Sequence, residues 1–302
     1  MKNLFTFLII LLFFDNEIPA LTFNYNGIER TYFVYVPKCY NNVNKTPLVV
    51  ALHGGGGLAK KMISFTRFDE ISERENFIVL YPQGYERQWN DGREAESISA
   101  QRQNIDDVGF IDSLISYMCT RYNIDTRRIY VTGASNGGFM STRLGCELSD
   151  KIAAISPMIS TFPKAFQSKC HPSAPMPVML INGTEDPLVP YEGGEVKVGR
   201  KTRGAILSTD ETISFWVKNN QCSSEPESKQ IKDSDKTDNC FATEFIYPNK
   251  HNNADVILIK VTGGGHTIPG GKQYLPKGII GTVCKDFVAE ELIWEFFKRQ
   301  SR

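Results

Sequence analysis

The residues best suited to chemistry in this chain gather around one serine. Ser135 lies in Gly133-Ala134-Ser135-Asn136-Gly137-Gly138, after an apolar run ending at Thr132 and before a stretch, Gly137 to Leu148, with apolar residues three and four apart. Gly-x-Ser-x-Gly at a strand-to-helix junction makes a turn too tight for side chains at its glycines and lifts the hydroxyl above the sheet edge. A serine hydroxyl is a weak nucleophile and needs a base within hydrogen-bond reach. Of the four histidines, His266 stands in Gly263-Gly264-Gly265-His266-Thr267-Ile268-Pro269-Gly270, directly beyond the apolar run Val256 to Val261, and is the candidate base. His171 and His251 sit in polar loops and read as surface or packing residues. A carboxylate to orient the imidazole is expected between serine and histidine in chain order. The run Val178 to Ile181 leads into Asn182-Gly183-Thr184-Glu185-Asp186-Pro187. Asp186, with the shorter side chain before a rigid proline, suits a fixed hydrogen bond, and Glu185 reads as an exposed loop acid. Asp106 and Asp107 precede the serine and begin a helical pattern, where acids cap free amides and favour the helix dipole.

Attack on a carbonyl also needs amides aimed at the oxygen that turns negative. The amide of Asn136, the residue after the nucleophile, is one candidate donor. The run His53-Gly54-Gly55-Gly56-Gly57 offers others at Gly54 and Gly55, where the absence of side chains permits close backbone approach. No Gly-Lys-Ser/Thr follows these glycines, so they do not read as a phosphate-cradling loop. His53 at the head of the run and Trp89 in the segment that follows are the candidate substrate-lining residues. Trp216 and Trp294 fall in helical patterns beside Phe215, Phe296 and Phe297 and read as core.

These residues need a scaffold. Leu21 to Tyr25, Asn26-Gly27 and Ile28 to Val36 alternate apolar and polar around a turn dipeptide, a hairpin pattern. Continuous apolar runs follow at 48–52, 77–81, 129–132, 178–181 and 256–261, as expected of parallel strands covered on both faces. Helical patterns lie between and after them at 60–76, 108–122, 137–148, 209–219 and 287–297. The expected fold is α/β, a mostly parallel central sheet with helices on both faces and an antiparallel N-terminal hairpin. Residues 84–104 and 223–239 break the pattern and read as insertions within one domain spanning 21–302.

The chain has 302 residues and equal numbers of basic and acidic side chains, 34 each. A neutral chain without a basic run lacks the footprint of nucleic-acid binding. Lys2 precedes an apolar stretch from Leu4 to Phe14 interrupted only by Thr6, then polar residues and Ile18-Pro19-Ala20. Too short to span a bilayer, residues 1–20 read as a secretory signal peptide. The mature chain is then expected in the periplasm or secreted, without stable membrane association, as a monomer. Export favours disulfides. Cys222 and Cys240 bracket a charged loop and are the first candidate pair, Cys146 and Cys170 the second; Cys39, Cys119 and Cys284 remain. No Cys-x-x-Cys pair is present, so no metal site is expected.

His53 with its four glycines, Tyr81-Pro82-Gln83-Gly84, Trp89-Asn90-Asp91-Gly92-Arg93, Asp107-Val108-Gly109-Phe110-Ile111, the Ser135 hexapeptide, Gly183-Thr184 through Asp186, and Gly264-Gly265-His266-Thr267 with Pro269-Gly270 occur in this order. Together they resemble the polyhydroxybutyrate depolymerase and feruloyl esterase family of secreted α/β-hydrolases, over the chain from about Leu21 to the final helix. The resemblance implies an ester substrate, hydrolysis through an acyl-enzyme on Ser135 with Asp186 and His266, and no cofactor. It implies the same fold read from the elements. Family members acting on plant cell-wall esters carry Trp where this chain has Ile268. The chain ends just after the last helical pattern, and short or dissolved esters, such as hydroxyalkanoate oligomers or feruloyl and acetyl esters, are the expected substrates. The rival expectations are a serine peptidase on the same fold and a binding protein that has lost its chemistry.

Overall fold

Asn26 and Gly27 both adopt positive φ (50° and 78°), the left-handed pair that closes a two-residue hairpin. Around them β1 (Leu21–Tyr25) and β2 (Ile28–Tyr35) pair antiparallel. The computed structural model describes residues 18–302, so the apolar stretch of the expected signal peptide lies outside the described residues. After the hairpin come β3 (Thr46–Leu52), α1 (Ala59–Phe65), α2 (Phe68–Glu75), β4 (Ile78–Pro82), α3 (Ser99–Arg102), α4 (Asp107–Arg121), β5 (Ile124–Ala134) and α5 (Asn136–Glu147). The chain continues through β6 (Ala154–Met158), β7 (Val178–Gly183), β8 (Gly194–Val198), β9 (Lys201–Ile206), α6 (Thr209–Asn220), β10 (Glu227–Gln230), β11 (Phe241–Tyr247), β12 (Val256–Thr262), α7 (Lys277–Ile280) and α8 (Ala289–Phe297).

Ten strands form one sheet in the order β1-β2-β4-β3-β5-β6-β7-β12-β11-β10, and β8 and β9 form a separate two-stranded hairpin. The six central strands from β4 to β12 are parallel neighbours, and antiparallel strands close both edges. The continuous apolar runs are explained by burial on both faces. Leu48, Val50 and Leu52 of β3 enter one core layer with α4, α5 and α6, and Val49 and Ala51 enter the other with α1, α2 and α8. Trp216 and Trp294 belong to opposite layers, and Trp294 stacks on Phe77 at 4.0 Å between centroids. Among the described residues no helix is long and apolar enough to cross a membrane.

Several elements differ from expectation. The helix expected over 60–76 is two helices, because Thr66 turns extended and bonds its hydroxyl back to Met62 O (3.0 Å), ending α1. β6 contains Pro157, which argues against a strand, yet it lies between β5 and β7. Within 223–239, β10 adds a fully exposed edge strand. Of the two candidate disulfides the second forms as expected, Cys146–Cys170, joining the end of α5 to the loop before β7. Cys222 and Cys240 are not bonded to each other. Ser223 N bonds Pro248 O beyond one end of β11, whereas Cys240 immediately precedes its other end, so the length of that strand separates the two thiols. Cys240 lies beside Cys284 and Asp238 instead, with ligand atoms within 4.8 Å of one another.

Candidate active site

The register of the parallel strands builds the site. Leu52 pairs with Gly133, Ala134 with Met158, Met158 with Ile181, and Gly183 with Val261, so five carboxyl ends finish nearly in line. Loops leaving this edge carry His53, Ser135, Asp186 and His266. The edge is where open α/β sheets bind ligands.

Ser135 sits at φ 56°, ψ −118°, a conformation that non-glycine residues rarely adopt and that active sites retain when their surroundings enforce it. Its amide is held by Met158 O at 3.0 Å. The flanking glycines are required by contact: a Cβ on Gly133 would stand 2.5 Å from Gly137 O, and one on Gly137 2.3 Å from Leu52 O. Only bare backbone lets α5 start this close to β3 and β5.

His266 Nδ1 lies 2.7 Å from Asp186 Oδ2, and both side chains are buried. Facing a carboxylate, Nδ1 carries the proton, which leaves Nε2 as the basic nitrogen. The other oxygen of Asp186 accepts from the amides of Leu188 and Val189, both at 2.8 Å, so the turn after Pro187 fixes the carboxylate. The histidine loop is pinned from the far side, with His266 N on Ile280 O at 2.6 Å and Tyr274 Oη donating to His266 O at 3.0 Å. Ser135 and His266 line one cavity of about 430 Å³, together with Gly54, Gly55, Asn136 and Ile268.

The glycine run lies along the serine turn. A Cβ on Gly54 would meet Ser135 Cβ at 3.6 Å, and one on Gly55 would meet Asn136 Cβ at 3.5 Å. The three backbones expected to hold a negative oxygen are therefore adjacent. His53 lines the cavity, but its ring is a buried strut. Nε2 accepts from Gly84 N (2.9 Å) and contacts Gln83 Nε2 (3.0 Å), and Nδ1 contacts Gly54 O (2.8 Å). Burial pulls its pKa down to about 4, so the ring is neutral.

Trp89 corrects the sequence reading. It is wholly buried and does not line the cavity. Its indole donates to His53 O at 2.9 Å, and its backbone N and O bond both ends of the Asn136 side-chain amide, at 2.8 and 3.1 Å. Trp89 thus clamps the glycine run to the start of α5. The sequence reading also missed the polar group beneath this clamp. Asp91, fully buried, accepts from Asn136 Nδ2, Gln101 Nε2 and Arg93. Asp106 caps α4 through Gly109 N as expected, while Asp107 has a second duty, pairing with buried Arg30 at 2.7 Å and accepting from Asn90 N. A signal was present: Asp91 and Arg93 stand in the polar segment 84–104 with few apolar residues around them, and Asp91, Arg93 and Asp107 all fall in the runs that carry the family resemblance.

The β8–β9 hairpin, inserted between Asp186 and α6, covers one side of the cavity with Val196, Val198 and Arg203. It was not expected from the sequence, since neither strand has an apolar run.

A parallel sheet with helices on both faces, a serine turn after a central strand, and a histidine after the last parallel strand define an α/β-hydrolase fold. Residues 30–191 match the family described as Esterase PHB depolymerase, and the chain belongs to that family. Feruloyl esterase B of Piromyces equi is 29% identical over 246 residues, covering 81% of this chain and 44% of that protein. The chain thus spans under half the length of that relative. Feruloyl esterase D of Neurospora crassa is 25% identical over 292 residues, covering 93% of this chain and 85% of that protein. Among solved structures, a thermostable esterase superposes with a TM-score of 0.59 at 19% identity, covering 95% of this chain and 64% of that one.

Proposed function

We propose that this chain is an exported, monomeric serine hydrolase of carboxylic esters, its residues 21–302 acting as one catalytic domain. The observation that carries the reading is the Asp186–His266 contact at 2.7 Å, on a cavity that His266 shares with Ser135 and the glycine run. In the proposed cycle His266 Nε2 takes the proton from Ser135 Oγ as the oxygen attacks the ester carbonyl carbon. The carbonyl oxygen becomes negative and is held by the amides of Asn136 and of Gly54 or Gly55. The tetrahedral intermediate expels the alcohol, which leaves with the proton from His266, and an acyl-enzyme remains. Water, deprotonated by the same nitrogen, releases the acid and restores Ser135. Asp186 holds the imidazole in the required tautomer and stabilises its cation.

Leu58, Met62, Phe65, Leu188 and Ile268 give the cavity apolar walls suited to a short acyl or alcohol group. The names of the feruloyl esterases that the chain resembles support an ester substrate, with feruloyl and acetyl esters and hydroxyalkanoate oligomers as the classes to try.

The test is hydrolysis of p-nitrophenyl acetate and butyrate, methyl ferulate and a hydroxybutyrate oligomer by wild type and by Ser135→Ala, with fluorophosphonate labelling in parallel. Wild type should turn over at least one ester and take the label. Ser135→Ala should lose the label and about 10⁴-fold or more in kcat. Turnover that survives Ser135→Ala would sink the reading.

A further inference from the structure

We infer that Arg203 is an anion receptor in the substrate cavity, and that the esters this site prefers carry a free carboxylate. The inference rests on the ester-hydrolase reading and names the substrate class of that site. Arg203 projects from β9 into the cavity that holds Ser135 and His266. Its Nε is sealed from solvent without a hydrogen-bond partner, and none of its guanidinium nitrogens forms a hydrogen bond or ion pair among the described residues. Arg203 as a whole is half-buried, with its terminal nitrogens open toward solvent, so it presents a cation with unused donors, one of them sealed, to whatever enters the cavity.

The neighbouring charges leave that position unfilled. Arg93 also lines the cavity, but its charge is met by Asp91 at 2.7 Å, and its guanidinium lies over the Phe139 ring at 4.1 Å. Asp186 is turned to His266 and to two backbone amides. Among the described residues lining the cavity, Lys61, Arg93 and Arg203 are cationic, and none carries a carboxylate. Burial and the Arg93 charge both lower the pKa of Arg203, as expected of a cation lacking a counter-charge.

The fold holds Arg203 in place. Gly204, at φ 90°, lies so close to Arg93 that a Cβ there would stand 2.6 Å from Arg93 O. Ser97 Oγ donates to Thr202 O on the same strand at 2.8 Å. Val196, Val189 and Ile206 pack with Phe139 of α5 and fasten the hairpin to the serine helix. A planar guanidinium with fixed backbone support matches the two oxygens of a carboxylate, which a flexible ammonium does not. The proposed ligand is therefore a half-ester of a dicarboxylic acid, whose carboxylate reaches Arg203 while its ester carbonyl lies at Ser135.

The experiment compares kcat/KM for monoethyl succinate, glutarate and adipate with that for ethyl butyrate, pentanoate and hexanoate, in wild type, Arg203→Gln and Arg203→Lys. Wild type should favour at least one half-ester over its neutral match. Arg203→Gln should cut that ratio by about tenfold or more, the weight of one charge-assisted hydrogen bond. Arg203→Lys should restore part of it. The ratio is internal to each preparation, so a partly misfolded variant does not distort it. Neutral esters turned over without preference for any half-ester, or a ratio unchanged in Arg203→Gln, would overturn the role of Arg203 while leaving the hydrolase reading intact. Turnover of neither series by wild type would overturn the role of Arg203 alone if the p-nitrophenyl and ferulate panel is still hydrolysed, and both readings if that panel is also untouched.

Discussion

Asn136 links the proposed backbone donor to the buried Trp89 clamp. Its amide N–H is a proposed oxyanion donor, while its side chain grips the Trp89 backbone at 2.8 and 3.1 Å and reaches Asp91. Asn136→Ala keeps the backbone N–H and removes the grip. The two donors should then drift relative to each other, and kcat should fall about 10- to 100-fold with KM changed much less. Steady-state kinetics on the best ester of the panel reads this split, and an unchanged kcat would show that the clamp does not set the donors. At this scale the sequence was most legible at Ser135, Asp186 and His266, because each stands in a short motif whose spacing implies its geometry. It was least legible at Trp89 and Arg203. Trp89 makes its contacts to residues 36 and 47 positions away, and Arg203 is notable for a partner it lacks, which no spacing encodes.

At the scale of elements, the strand–turn–helix unit of β5, Ser135 and α5 is the most constrained part of the chain. A Cβ on Gly137 would press on Leu52 O at 2.3 Å and His53 O at 2.7 Å, both backbone atoms that cannot rotate away. Gly137→Ala should therefore destabilise the protein by about 2 kcal/mol or more, or block folding, whereas Gly278→Ala, with nothing within 4 Å, should be nearly neutral. Urea unfolding of the two variants beside wild type provides the check, and equal stability would show that the turn relaxes. The central strands were readable because burial on both faces leaves a continuous apolar run. The edge and insertion strands β8 to β10 were not, because exposed strands are held by ladder bonds to a neighbour and need no apolar signature. Of the two candidate disulfides the second, Cys146 with Cys170, forms, and the first does not for a related reason: bracketing a loop in sequence puts Cys222 and Cys240 at opposite ends of β11 in space.

For the whole molecule, two buried ionisable groups set opposed pH dependences. His53 is held at about pKa 4 by burial, below its ordinary 6.5, so the unfolded chain binds the proton first; its contribution is complete above pH 6.5 and is lost as pH falls toward 4. Glu290, 1% exposed at the start of α8 with Oε1 unpartnered, is raised by burial from 4.5 to about 7. The unfolded chain releases that proton first, so stability is complete below pH 4.5 and declines as pH rises toward 7. Glu290→Gln should gain about 3 kcal/mol over wild type at pH 8 and almost nothing at pH 4. Urea unfolding at the two pH values tests this, and an equal difference at both would show that Glu290 does not titrate across the fold. The sequence alone determined the parallel sheet and the order of its serine, acid and histidine loops, since apolar periodicity and glycine spacing are local properties written along the chain. Only the tertiary structure decided that Trp89 is a clamp, that His53 is a neutral strut, that Cys146 meets Cys170, and that a hairpin leaves Arg203 unpaired beside the serine. Each of these depends on which distant surfaces meet and on which polar atoms are left over when they do.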